Sequence, residues 1–157
     1  MKNTFIKYRI GALTLLALAA LAGCGGGGGG GPAPSEALVS LPAKDLQWRD
    51  VPGTGGIRAA NVRGEILGQG PYEAFVEFPA GYVNPHHFHT QALPTVVLSG
   101  VFYAIFEDGK KVQYPAGSYY YIPGKLPHFS GCEPGTNCLL FQYQADHFDL
   151  VPTPATR

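Results

Sequence analysis

The chain has 157 residues with 11 basic and 11 acidic side chains, and Lys2, Lys7 and Arg9 place three of the cations at its start. From position 24 onward 8 basic residues face 11 acidic ones with no Lys/Arg stripe, which excludes the clustered cations that a nucleic-acid binder needs to neutralise phosphates. About 134 residues remain after position 23, enough for one ordinary domain with a real core and too few for two.

The first element is an address. Met1 to Arg9 is a basic head, and Ile10 to Ala20 is an apolar run of roughly a dozen residues, too short to span a bilayer comfortably. Leu21-Ala22-Gly23-Cys24 closes it. That tetrad resembles the lipobox of bacterial lipoproteins, in which the signal peptide is cut before the cysteine and the cysteine is acylated. The resemblance implies a signal peptide over 1–23, lipid on Cys24 and attachment to a membrane. An ordinary secretory signal with an incidental Cys24 is the other reading. Gly25 stands where inner-membrane retention typically has aspartate, so the resemblance implies the outer membrane, facing the periplasm or the cell surface. Seven glycines, Gly25 to Gly31, then Pro32-Ala33-Pro34-Ser35, cannot bury apolar area. Residues 24–37 are therefore expected to form a flexible tether, on the order of 18 Å from Cys24 to Ser35.

From residue 38 to 152 the hydrophobic pattern has a period of two. Tyr72, Ala74, Val76 and Phe78 alternate with Glu73, Phe75 and Glu77. Thr95 to Phe106 is β-branched and aromatic, broken at Ser99-Gly100, and Asp108-Gly109 between Ala104–Glu107 and Lys111–Tyr114 is a tight-hairpin signal. Tyr119 to Ile122 and Leu139 to Gln144 complete the strands. No window of about a dozen residues shows an amphipathic helix. Short strands separated by Gly/Pro turns predict an all-β fold, a small antiparallel barrel or jelly roll. Residues 153–157 are a tail. Cys132 and Cys138 lie six apart around Glu133-Pro134-Gly135-Thr136-Asn137. In an oxidising compartment this spacing reads as a disulfide, and the alternative is a pair of metal thiolates.

Three of the five histidines lie within Asn84-Pro85-His86-His87-Phe88-His89. Residues two apart on a strand share a face, so His87 and His89 project together and His86 and Phe88 point away. Two imidazoles side by side are two cis ligands for a divalent metal, or else polar groups of a strand end that hydrogen-bond to water.

Gly81, five residues, His87, one residue, His89 and later Gly100 resemble the first motif of the cupins. Gly117, five residues, Pro123, and then His128 resemble the second. The resemblance covers roughly Leu41 to Pro152. It implies a double-stranded β-helix, the cupin jelly-roll barrel, with a divalent metal on His87, His89 and His128. Where the family's usual carboxylate ligand falls, this chain has Leu93 or Pro94. Gln91 is the nearest polar candidate for a fourth ligand, if the strand continues through it. Lys125 replaces the second motif's glycine and Cys132 its final asparagine. The set is thus similar to the small three-histidine cupins, of which acetylacetone-cleaving dioxygenase is an example. It also resembles short cupins of unassigned function that share Gly70-Pro71-Tyr72, a C-terminal cysteine pair and a closing Phe148-Asp149.

Three neutral imidazoles leave the metal its +2 charge and open positions, for oxygen and a chelating substrate on Fe(II) or for water on Zn. Imidazoles alone do not select among Fe, Ni, Cu and Zn, with Fe(II) favoured for an oxygenase. Strand parity predicts Thr95, Val97, Ser130, Phe141 and Tyr143 as the lining of the pocket. No carboxylate is obviously placed as a general base, which disfavours metal-assisted hydrolysis. Of Tyr119, Tyr120 and Tyr121, at least one is expected to be core. Three functions are compatible with this: an oxygenase acting on a small dicarbonyl or phenolic compound, a non-catalytic cupin holding a small ligand or metal, and a metal-free structural lipoprotein. The catalytic residues are not identifiable from the sequence. Homodimerisation through outer strands is a further expectation carried by the resemblance.

Overall fold

Alternation of buried and exposed side chains sets the strands in a computed structural model, which describes residues 37–154. The expected signal peptide, Cys24 and all but the end of the expected tether lie outside these residues. Eleven strands follow one 3-10 turn at Ala43–Asp45: β1 (Arg49–Asp50), β2 (Arg58–Arg63), β3 (Tyr72–Phe78), β4 (His87–Phe88), β5 (Leu93–Ser99), β6 (Val101–Ile105), β7 (Lys111–Pro115), β8 (Tyr119–Ile122), β9 (Phe129–Cys132), β10 (Cys138–Gln144) and β11 (Val151–Pro152). No α-helix occurs among the described residues.

The large sheet has the order β1-β2-β3-β10-β5-β8, the smaller one β7-β6-β9, and β11 pairs with β4. Every named strand pair is antiparallel. These are the sheets of the expected jelly-roll barrel. On β3 the alternation predicted from sequence holds, with Tyr72, Ala74, Val76 and Phe78 buried. Phe102 of β6 meets Phe78 of the large sheet at 5.1 Å and lies parallel to Tyr120 of β8 at 5.8 Å. The two inner faces thus pack through aromatic rings, each burial of this kind contributing about 1.5–3 kcal/mol. Tyr120 is the core tyrosine of its triplet, and Tyr119 and Tyr121 are exposed.

Turn chemistry places the strand ends. Gly109, at a φ of 73°, closes the β6–β7 hairpin. Gly100, between β5 and β6, has a φ of 72°, and a Cβ there would come within 2.8 Å of the Asn137 carbonyl and 2.9 Å of Cys138 Sγ. Both the backbone conformation and the space therefore require glycine.

The Cys132–Cys138 disulfide is present, with Cα atoms 5.8 Å apart. It ties the end of β9 in the small sheet to the start of β10 in the large one. Both cysteines are buried. The chain-entropy cost of leaving so short a ring open predicts a loss of about 2 kcal/mol for a Cys132→Ala/Cys138→Ala variant. Urea unfolding would check this, and thiol labelling of denatured, unreduced wild-type protein should find neither cysteine free.

Lys125 is the one non-glycine described residue with a positive φ, 65°. The backbone has kept the conformation suited to the motif's glycine although the residue has changed. Its amide donates to the His89 carbonyl at 2.7 Å, so the turn is tied to the histidine segment. A left-handed conformation costs an L-residue about 1–2 kcal/mol, partly offset because glycine has more freedom to lose on folding. Lys125→Gly is therefore expected to stabilise the protein by up to about 1 kcal/mol. A urea midpoint that falls instead would show that the exposed lysine side chain makes a compensating contact.

Candidate metal centre

His87, His89 and His128 come together although 38 residues lie between the second and the third. One ligand atom from each lies within 4.8 Å of the other two, and all three side chains are buried. His87 sits on β4, His89 just beyond it, and His128 immediately before β9. The two segments meet directly. The His87 amide donates to the His128 carbonyl at 3.0 Å, and the His128 amide returns the bond at 2.8 Å. Ring centroids are 4.4 Å apart for His87 and His128, 4.9 Å for His87 and His89, and 5.8 Å for His89 and His128.

Hydrogen bonds at the far side of each ring fix its tautomer. His87 Nδ1 bonds the Pro85 carbonyl at 2.7 Å, His128 Nδ1 the Leu126 carbonyl at 2.9 Å, and His89 Nδ1 the Asp149 carbonyl. A carbonyl only accepts, so each Nδ1 must carry the proton and each Nε2 a lone pair. His87 Nε2 is buried with no hydrogen-bond partner. A buried acceptor without a donor is costly, and a cation at the focus of the three rings would satisfy it. Burial is the leading cause that lowers all three pKa values, that of His87 to about 3. Near pH 7 the imidazoles are therefore neutral, the form that binds metal. The donor set fits a divalent transition ion.

His86 and His147 stand apart from this group. His86 rests on Phe129, ring centroids 4.7 Å apart, with its Nδ1 on the Thr153 carbonyl, and His147 Nδ1 faces Asp146 at 3.2 Å. Gln91 is not brought to the three imidazoles. The chain bends at Thr90 and Gln91 before β5 begins, so strand parity does not carry through. The Gln91 side chain is exposed and reaches Asp146 at 3.5 Å.

A cavity of about 500 Å³ opens beside His89 and His128. Its walls are mainly apolar, including Ile57, Val76, Phe78, Phe102 and Ile122. Ser130 lines it, and its hydroxyl accepts from Asn84 Nδ2 at 2.9 Å. Thr95 and Val97 do face inward, but they are packed in the interior and do not form the cavity wall. Phe141 and Tyr143 point the other way. Cys138, held inside by its disulfide, starts an inward series of Cys138, Leu140, Gln142 and Gln144. Phe141 packs against Phe75 at 5.2 Å on the outer face, and Tyr143 is 44% exposed. The aromatic residues of β10 thus cover the outside while two glutamines face in, and Gln142 reaches the cavity.

The sequence reading missed Asn84, Gln142 and Asp149 as lining residues. Asp149 is the one carboxylate on the cavity wall among the described residues, and its Oδ1 accepts from the Thr90 amide at 2.9 Å. The closing Phe148-Asp149 pair was the available signal, but no periodicity shows which way a segment without regular structure folds back.

The comparisons with known proteins agree with this geometry. A model of the family described as the ChrR cupin-like domain matches residues 36–146. Among solved structures, the chain is similar to the polyketide cyclase RemF from Streptomyces resistomycificus, with TM-score 0.63 and 18% identity over 77% of this chain and 89% of that one. It is similar to KdgF from Halomonas sp., with TM-score 0.54 and 20% identity over 67% and 91%. It also resembles a chain in the complex of Rhodobacter sphaeroides SigE with the anti-sigma ChrR, with TM-score 0.52 and 25% identity over 66% of this chain but only 51% of that one. No curated protein sequence matches. With the family match spanning most of its length and the paired sheets and histidine cluster in place, the chain belongs to the ChrR cupin-like family.

Proposed function

We propose that the protein is a membrane-anchored cupin that binds one divalent transition metal through Nε2 of His87, His89 and His128. On this reading it acts with oxygen on a small dicarbonyl or phenolic compound held in the adjoining cavity. The observation that carries it is the set of three Nδ1 bonds to carbonyls, which leaves an Nε2 lone pair on each of three histidines whose ligand atoms lie within 4.8 Å of one another. The metal supplies Lewis acidity and a place for oxygen and a chelating oxygen pair. The chain supplies the rest. Apolar walls exclude water and hold the carbon skeleton, and Ser130, Asn84 and Gln142 offer neutral hydrogen-bonding groups to its polar atoms. A cavity of this size accommodates a ligand of ordinary metabolite or drug dimensions.

Elemental analysis of full-length protein expressed without an affinity tag tests the metal. Oxygen consumption with a panel of β-diketones and catechols tests the chemistry. About one metal per chain and oxygen uptake with a panel member are the expected results. One metal per chain with no uptake favours a second reading, a non-catalytic cupin holding metal or a small ligand. What supports that reading is the family match, since a chain similar to this one is described as an anti-sigma in complex with SigE. No metal after reconstitution with Fe(II), Ni(II), Cu(II) and Zn(II) leaves a structural lipoprotein.

Anchoring rests on Leu21-Ala22-Gly23-Cys24. Cys24→Ser is expected to abolish acylation and leave the protein unprocessed or misplaced, as read by intact mass and detergent partitioning. A mature wild-type protein without acyl mass overturns the lipoprotein assignment and the outer-membrane location with it. Tyr119, Tyr121, Tyr143 and Leu98 are exposed, and as part of the large sheet's outer face they are the surface that a homodimer would use. Sedimentation of the purified protein checks this.

A further inference from the structure

The three histidines are not held alike. His87 and His128 each bond a carbonyl two residues back in their own segment, Pro85 and Leu126. Those bonds form wherever the local backbone forms. His89 instead bonds the carbonyl of Asp149, sixty residues onward. Its orientation therefore depends on where the C-terminal segment lies.

That segment is built onto the histidine strand. The Asp149 carboxylate accepts from the amide of Thr90, next to His89, at 2.9 Å. Phe148 sets its ring 5.4 Å from that of His89 and edge-on to Tyr72 at 6.4 Å. Val151 and Pro152 pair with Phe88 and His87. The Thr153 amide donates to the His86 carbonyl at 3.0 Å, and His86 Nδ1 returns a bond to the Thr153 carbonyl at 3.2 Å. Phe148, Asp149, Leu150 and Pro152 also line the cavity. All of these residues follow position 146, where the family match ends.

We infer that residues 147–153 are a strap that clamps the site, with Asp149 the positioning residue for His89. Docking of the strap and occupancy by metal then reinforce each other. The inference rests on the metal-binding reading above. A metal ligand's outer-shell partner fixes the tautomer and direction of the ring, and its loss typically costs about 10–100-fold in metal affinity. Coupling between two equilibria is reciprocal, so whatever affinity the docked strap adds to the metal, the metal adds to docking of the strap. His87 and His128 keep their bonds when the strap lifts. The site would then fall from three oriented imidazoles to two, and one cavity wall would open with it.

The test uses full-length protein, wild type, Asp149→Ala, Asp149→Asn and Phe148→Ala, with Zn(II) as the probe. In metal-free protein, 15N NMR of the imidazoles should show His89 as a single tautomer protonated at Nδ1. Asp149→Ala, which frees the carbonyl's anchor on Thr90, should mix the His89 tautomers and leave those of His87 and His128 unchanged. Asp149→Asn keeps an oxygen acceptor for Thr90 and should restore the wild-type signal. Zinc affinity should fall about 10–100-fold in Asp149→Ala and in Phe148→Ala, and stay within about threefold of wild type in Asp149→Asn. Zinc should slow amide exchange at Thr90 and Thr153 at least about tenfold in the wild type. Wild-type affinity and a single His89 tautomer in Asp149→Ala overturn the clamp while the metal site stands. So does unchanged exchange at Thr153 on zinc binding. A wild-type protein that takes up no zinc overturns the metal reading and the coupling together.

Discussion

Replacing any one of His87, His89 and His128 by alanine is expected to lower zinc affinity at least about 100-fold. A structural zinc site with four ligands is worth about 10–16 kcal/mol, so each ligand accounts for roughly 3 kcal/mol, and the loss of one of only three leaves an imidazole pair. His86→Ala and His147→Ala should keep full metal stoichiometry, because the first side chain is turned onto Phe129 and Thr153 and the second onto Asp146. Gln91→Ala should also be silent, since that side chain is on the surface. Isothermal titration with the six single variants reads all of this. Should His86→Ala lose metal while His87→Ala retains it, the assignment of faces along residues 86–89 is wrong, and the cupin motif alignment falls with it.

Acid should destabilise the metal-free protein well above the pH at which carboxylates titrate. The cause is the burial that lowers the pKa of His87 to about 3 and that of His89 and His128 in the same direction. An unfolded histidine titrates near pH 6.5. Above that pH both states are neutral and the contribution is fully present. Below it the unfolded chain takes up protons that the folded protein refuses, so stability falls as pH drops from about 6.5 toward the folded value near 3. For His87 alone the loss across this window is on the order of 5 kcal/mol, a large share of a typical domain's total. Urea unfolding of metal-free protein at pH 7.5, 6, 5 and 4 would show it as a steadily falling midpoint. Equal midpoints at pH 7.5 and 4 would mean that the three rings are hydrated and not enclosed.

How much could be read beforehand differs between elements for physical reasons. Period-two patterning exposed β3, because its inward face is apolar and two of its outward residues are glutamates. The cysteine spacing pointed to the disulfide, since a six-residue separation constrains the pairing locally. His87 and His89 were legible as a pair because they lie close together on one short stretch of extended chain. On β10 patterning failed. Both of its faces carry large apolar residues, and the inner one also carries Gln142 and Gln144. Hydrophobicity then cannot orient the strand, and the buried disulfide at Cys138 decides instead. Gln91 failed for a different reason, in that parity ends where hydrogen-bond pairing ends. Asp149 was the least accessible, because its role depends on a fold-back over sixty residues that carries no periodic signature.

The mutual backbone bonds of His87 and His128 give the order of assembly a direction. A nascent chain has His87 and His89 two positions apart from the outset, but two imidazoles on a flexible strand hold a metal only weakly. His128 reaches them only when the β5–β8 region has formed and closed the intervening loop, an entropy cost that short-range structure does not have to meet. On the metal-binding reading, tight capture would belong to the closed barrel and not to the collapsing chain. An ion at this site would then follow the fold and not nucleate it as in a zinc finger. On the same reading, which ion the site takes would depend on what is available where the barrel finishes closing.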